Sequence, residues 1–178
     1  MQSPLESLLD VTQTLAATGV EVALGGSGLL VAMGLRDNAR DWDLTTDSPW
    51  DRVRPNLDGI SWQEAPRGDD RYASAYRLLI PADGHDINLI GRFAIRAPGG
   101  VCRLPTIVTG AWNRVPLGSP AVWAVAYRLM GHHDRADLLL HQLSRHGAHP
   151  GVVARLLAEP LPDEVRRELA ALPRVDMP

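Results

Sequence analysis

The chain has 178 residues, enough for one domain with a real core or for a small catalytic domain with a helical appendage. Its formal charge of -3 argues against a broad nucleic-acid surface, though not against a local basic patch, and the absence of any signal peptide or long apolar segment points to a soluble, cytoplasmic protein with no membrane partner. All 18 basic residues are arginine, which excludes Schiff-base chemistry and lysine-bearing phosphate loops, and the single Cys102 excludes an intramolecular disulfide and any multi-cysteine zinc site.

In chain order, Ser3-Pro4-Leu5-Glu6 has the pattern of a helix start: Ser3 as cap, Pro4 at the first helical position, Glu6 closing a capping box. Leu5, Leu8, Leu9, Thr12 and Leu15 keep helical spacing, and Gly19 is the expected stop. Val20 to Leu24 is the first predicted strand, and Gly28 to Leu35 a buried helix behind a glycine turn. Arg36 to Arg40 is a polar connection to a strand over Asp41–Thr46. Ser48-Pro49 starts a short helix bounded by Pro55 and Gly59. Ile60 to Glu64 is a short strand candidate, and 66–71 a charged loop. Tyr72 to Ile80 and His85 to Ile90 flank Pro81-Ala82-Asp83-Gly84 and predict a β-hairpin. Arg96 to Pro105 is expected to be a Pro/Gly-rich loop, and Thr106 to Val108 and Asn113 to Leu117 short strands. From Ser119 onward the pattern is helical: a helix to about Met130, broken by Gly131, then Asp134 to Arg145, Val152 to Ala158 and Asp163 to Leu172. These elements predict an α/β (α+β) fold, a small mixed sheet over 1–118 followed by a helical part over 119–178.

Chemistry concentrates between Gly25 and Asp43. Gly25 and Gly26 let backbone N–H groups approach an anion without an intervening Cβ, and Ser27 follows at a helix start. Asp41 and Asp43 are two apart. On a strand that spacing puts both carboxylates on one face and sends Trp42 and Leu44 to the other. Adjacent like charges repel, so the pair favours a cation, and Mg²⁺ takes carboxylate and phosphate oxygens together.

Gly25-Gly26-Ser27, thirteen intervening residues and then Asp41-Trp42-Asp43-Leu44 resembles the signature of the nucleotidyltransferase superfamily, the DNA-polymerase-β-like fold, in particular small bacterial antibiotic- or toxin-type members. The resemblance implies a third carboxylate on a later strand. Asp86, in His85-Asp86-Ile87-Asn88-Leu89-Ile90, is the matching candidate, with Asp83 its competitor as a turn residue. It further implies that Asp41, Asp43 and Asp86 are catalytic and bind Mg²⁺ or Mn²⁺. Gly25, Gly26 and Ser27 would hold the phosphates of a nucleoside triphosphate, and Tyr127 and Arg128 would lie on a helix packed against the nucleotide. Arg128 stands where several relatives carry lysine; helix packing plus surface ion pairs is the equal alternative for this segment. The implied activity is transfer of a nucleoside monophosphate to an acceptor hydroxyl on a small molecule, RNA or protein. The alternative is an inactive nucleotide-binding or interaction protein of the same fold.

His132, His133 and Asp134 suggest a metal, but consecutive helical histidines diverge, and a solvated helix start accounts for them. Trp42 is expected in the core, while Trp50 and Trp123 are candidates for cleft wall or base stacking.

Overall fold

A computed structural model describes residues 4–66 and 68–176. The Ser3 cap and part of the charged 66–71 loop therefore lie outside the described residues. The chain forms two compact units, one from residues up to 66 with 74–93 and 105–119, the other from 68–73, 94–104 and 120 onward.

The first unit begins with α1 (Pro4–Ala16), which ends where Gly19, at φ 78, turns its N–H back to the Ala16 carbonyl. Then follow β1 (Ala23–Gly25), α2 (Gly26–Ala32), β2 (Trp42–Thr46), α3 (Trp50–Val53) and a 3₁₀ turn (Arg54–Leu57). The strands β3 (Gln63–Glu64), β4 (Tyr76–Ile80), β5 (Ile87–Gly91), β8 (Val108–Trp112) and β9 (Val115–Gly118) complete it. Seven strands make one mixed sheet in the order β3-β4-β5-β2-β1-β9-β8. β2 runs parallel to β5 and antiparallel to β1, while β9 joins β1 in parallel. The β8–β9 turn is Asn113-Arg114, both at positive φ, the backbone that matches the twist of a two-residue hairpin.

Alternation on β2 works as the sequence suggests: Trp42 and Leu44 are buried, and Asp43 is on the opposite, half-exposed face. Leu24, Leu44, Leu78, Ile87 and Leu89 from four strands pack with Leu8 and Leu15 of α1 into one core. Complete burial of each such side chain stabilises the fold by about 1.5–3 kcal/mol. The central strand β5 is buried throughout, Asn88 included. Gly91 at its end is required sterically, because a Cβ there would fall 1.9 Å from the Tyr76 ring. That ring packs beside Trp50 in a cluster with Trp62, and the Tyr76 hydroxyl donates to the Ser48 carbonyl at 2.8 Å.

The second unit combines a hairpin, β6 (Ala94–Ala97) and β7 (Gly100–Arg103), with four helices: α4 (Pro120–Met130), α5 (His133–His146), α6 (Pro150–Leu157) and α7 (Asp163–Ala170). The hairpin replaces the loop expected over 96–105. Pro98 and Gly99 form its two-residue turn, and Ile95 and Cys102 face inward as a directly paired couple. Burial raises the Cys102 thiol's pKa, with Glu159 adding to the effect. Ala121 to Tyr127 of α4 are all buried, so this helix is the centre of the unit. Among the described residues no helix is long and apolar enough to cross a membrane.

Candidate active site

Strand pairing brings the candidate residues of the first unit together. Gly25 at the end of β1 lies opposite Asp43, so the glycine turn and the second carboxylate are neighbours across one ladder. The helix α2 begins at Gly26, two residues earlier than its hydrophobic pattern predicts. Gly26 has φ 54, and a Cβ built on it would lie 2.0 Å from Asp43 Oδ2. Glycine is thus needed twice, for the backbone conformation and for the approach of the carboxylate. Gly28, two residues on, lets α2 settle against Leu24 and Trp42, where a Cβ would stand 2.8 Å and 2.9 Å from their side chains. Ser27 Oγ donates to the Asp41 carbonyl at 3.5 Å, tying the turn to the start of β2.

The parallel register of β2 on β5 sets Trp42 opposite Ile87 and Asp43 opposite Asn88. The in-register partner of Asp43 is therefore Asn88, an amide 5% exposed. Its Nδ2 donates to Asp41 Oδ2 and to Asp43 Oδ1, both at 3.2 Å. Its Oδ1 accepts from an Arg77 guanidinium nitrogen at 3.4 Å, which fixes which end of the amide faces the carboxylates. Asp86, two residues before Asn88, lies just before β5 instead of within it. Its carbonyl accepts the Trp42 N–H at 2.9 Å, continuing the ladder, and its Oδ1 accepts the Ala82 N–H at 3.4 Å. On the opposite side His85 stacks on Trp42 with ring centroids 5.0 Å apart, and its Nε2 meets the Ala39 carbonyl. This contact braces the 36–40 connection against β5.

Asp41, Asp86 and Asn88 line a cleft of about 510 Å³ together with Arg40 and Arg77. Arg40, Arg77 and Asn88 did not figure among the candidate site residues. Asn88 is legible only as a face-mate of Asp86; Arg40 joins the site as the chain neighbour of Asp41, and Arg77 joins through the β4–β5 pairing that no local pattern announces.

Tyr127 and Arg128 belong to the second unit. Tyr127 is packed beside Trp123 and His132, with the Arg135 guanidinium 5.7 Å from its ring centroid. Arg128 donates through Nε and Nη2 to both Glu168 oxygens at 2.8 Å and through Nη2 to Asp137 at 2.7 Å. The Glu168 hydrogen bonds are the main reason its pKa is raised further, with Asp137 adding to the effect. His133 accepts from the same guanidinium at 3.4 Å.

The oxygen-only donor set of Asp41 and Asp43 fits a hard divalent ion such as Mg²⁺, and two of their oxygens already converge on one donor atom. Among the described residues no group of three or more His, Cys, Asp or Glu converges as a metal cluster. The residues thus fit an ion held by two carboxylates with the remaining ligands supplied by phosphate oxygens and water.

No family model matches the chain, and no curated protein sequence matches it significantly. Its likeness is to solved structures. One is a candidate nucleotidyltransferase of Thermotoga maritima, 19% identical, with TM-score 0.56 over 82% of this chain and 96% of that one. Another is the antibiotic-resistance factor ANT(2'')-Ia in solution, 13% identical, with TM-score 0.55 over 83% and 88%. The crystal structure of ANT(2'')-Ia with adenylyl-2''-tobramycin is 12% identical, with TM-score 0.56 over 95% and 97%. The chain has a nucleotidyltransferase-like fold, a mixed sheet with helices, resembling antibiotic-resistance types.

Proposed function

We propose that the protein transfers a nucleoside monophosphate from a nucleoside triphosphate to an acceptor hydroxyl. The observation that carries this reading is that Asp43 on β2 and Asp41 just before it share one donor, Asn88 Nδ2, beside a glycine turn that no other residue fits. In this proposal Asp41 and Asp43 hold Mg²⁺ or Mn²⁺. When bound there, the ion would supply positive charge against the transferred and leaving phosphates. The N–H groups of the Gly25–Ser27 turn orient the distal phosphates beside Asp43. Asp86, at the mouth of the cleft, takes the proton from the acceptor hydroxyl. Asn88 keeps the two carboxylates parallel, and Arg77 keeps Asn88 from turning over. Positioning and charge neutralisation then carry the rate, since phosphoryl-type transfer asks little covalent work of the protein. Arg128 serves the second unit in this proposal, because Glu168 and Asp137 hold its guanidinium. Tyr127 likewise supports α4 through its ring contacts.

The second reading, a protein that binds nucleotide without transferring it, is favoured by one observation: an amide, Asn88, stands in register beside Asp43, and three carboxylates do not converge. Incubation with each labelled nucleoside triphosphate, Mg²⁺ or Mn²⁺ and cell extract separates the two. Transfer predicts a labelled product that disappears with Asp43→Asn. The binding-only reading predicts Mg²⁺-dependent nucleotide affinity and no product.

A further inference from the structure

We propose that the Arg40/Arg77 cleft takes an acceptor that carries a phosphate group as well as the hydroxyl to be modified, an inference that rests on the transfer reading. The carboxylate row has two sides. Towards β1, Asp43 meets the glycine turn, and in the transfer reading that side is taken by the nucleotide phosphates. Towards β5 and β4, Asp41 and Asp86 face the cleft of about 510 Å³, a volume suited to a sugar-sized compound. This second side is the one left for the acceptor.

The cleft brings two guanidiniums and two carboxylates to one cavity. Their roles are not symmetric. Asp41 belongs to the cation pair, and Asp86 sits where the hydroxyl must arrive. The two arginines remain. Arg77 stands on β4, two strand spacings from β2, on the order of 10 Å across the sheet. Arg40 immediately precedes the carboxylate pair, is exposed, and has no hydrogen-bond or ion-pair partner among the described residues. Guanidinium groups meet phosphate oxygens through two parallel N–H donors, the geometry that makes arginine the preferred residue for such groups. A phosphate held at Arg77, with Arg40 as a second cation lining the same cavity, shares that cavity with Asp86, where the hydroxyl is taken. Leu79 in the lining gives the sugar an apolar surface.

The test is a titration of the full chain, without nucleotide, by ribose 5-phosphate, a ribotrinucleotide and ribose, read by NMR or calorimetry. One of the two phosphate-bearing probes is expected to bind at least about tenfold more tightly than ribose, with affinity that falls as salt rises. Which of them does so distinguishes a small sugar phosphate from an RNA end. Arg40→Gln and Arg77→Gln are each expected to weaken that probe by about three- to tenfold. Arg40→Gln removes no partner contact among the described residues, so a loss there is not a folding effect. Equal affinity for ribose and both phosphate-bearing probes, or no change in the two variants, overturns the proposal. A separate titration with Mg²⁺ and ATP reports on the transfer reading, so the two stand or fall on different curves.

Discussion

Arg128 in the second unit and the Asp41/Asp43 pair in the first are both charged clusters mounted on regular secondary structure, but they are assembled differently. Around Arg128 the charges are unlike: a guanidinium 12% exposed meets Glu168 and Asp137, each within 2.8 Å. Every member answers another, and the cluster is complete without a ligand. On the β2 face the charges are alike, and the donor they share, Asn88 Nδ2, belongs to a side chain with no formal charge. Two like charges a few ångströms apart repel by on the order of 1–4 kcal/mol, depending on the local dielectric. A fold that holds such a pair on a rigid strand spends stability that a cation returns. Unlike charges that cancel in place indicate structure; like charges held together indicate a site.

The largest expected effect tests the site side of that contrast. Asp43→Asn is expected to lower labelled transfer by about 10²–10³-fold and to abolish Mg²⁺-dependent nucleotide binding. The same change relieves repulsion, so its melting temperature is expected to equal or exceed that of the wild type. A variant that melts earlier while keeping its activity would make Asp43 a structural residue and erase the distinction.

Arg128→Met is expected to do the reverse. It leaves Glu168 and Asp137 facing an apolar side chain, and urea unfolding is expected to show a loss of about 1–3 kcal/mol. That is below the 3–5 of a fully buried pair because both carboxylates are partly solvated. Adding Glu168→Leu is expected to recover part of it. Nucleotide affinity of the first unit is expected to stay within about twofold, as for sites that share no partner. Loss of nucleotide binding with unchanged stability would return Arg128 to the nucleotide-contact role that family resemblance implies.

Asp41 and Asp43 were legible because their logic is local: two residues apart, opposite Trp42 and Leu44, after a glycine turn. The seven-stranded sheet was less so. Nothing in the residues around Asp86 reveals that β5 pairs in parallel with β2, and that pairing decides that Asn88 faces Asp43. Register is a long-range property, set by which apolar strand faces can be buried together. The β6–β7 hairpin is not legible locally, because Pro98-Gly99-Gly100 resembles a loop when its flanks are short. Only burial of Ile95 and Cys102 against the helices of the second unit makes those flanks strands. The boundaries of α4 through α7 lie close to their expected ends, since each begins at or next to a proline or after a glycine break.

Asn88→Asp turns the neutral bridge into a third like charge, in register with Asp43. Without metal the melting temperature is expected to fall by an amount equivalent to about 1–2 kcal/mol, because Nδ2 no longer donates to either carboxylate. Mg²⁺ is expected to restore it and to bind more tightly than in the wild type, read as a larger Mg²⁺-dependent rise in melting temperature. If Mg²⁺ gives no larger rise, cation binding at this face does not depend on carboxylate number, and the contrast with Arg128 loses its basis.

The smallest effect acts as a control on both clusters. The Tyr76 pKa is raised from 10.0 to about 12, chiefly by burial, with Arg92 opposing and Asp47 adding. Between those two values the folded chain keeps a proton that the unfolded chain has released. The unfolded state then binds fewer protons, so stability is full below pH 10.0 and falls as pH rises towards about 12. The structural reason is plain: the phenol donates to the Ser48 carbonyl, and a phenolate has nothing to donate. The chain has no lysine, so no ammonium side chain adds to the fall in this window. Tyr76→Phe is expected to melt slightly earlier at neutral pH, by the equivalent of about 1 kcal/mol for the lost hydrogen bond. It is also expected to flatten the alkaline fall between pH 10.0 and about 12. If thermal melts of Tyr76→Phe fall as steeply as the wild type across this range, the alkaline sensitivity lies elsewhere.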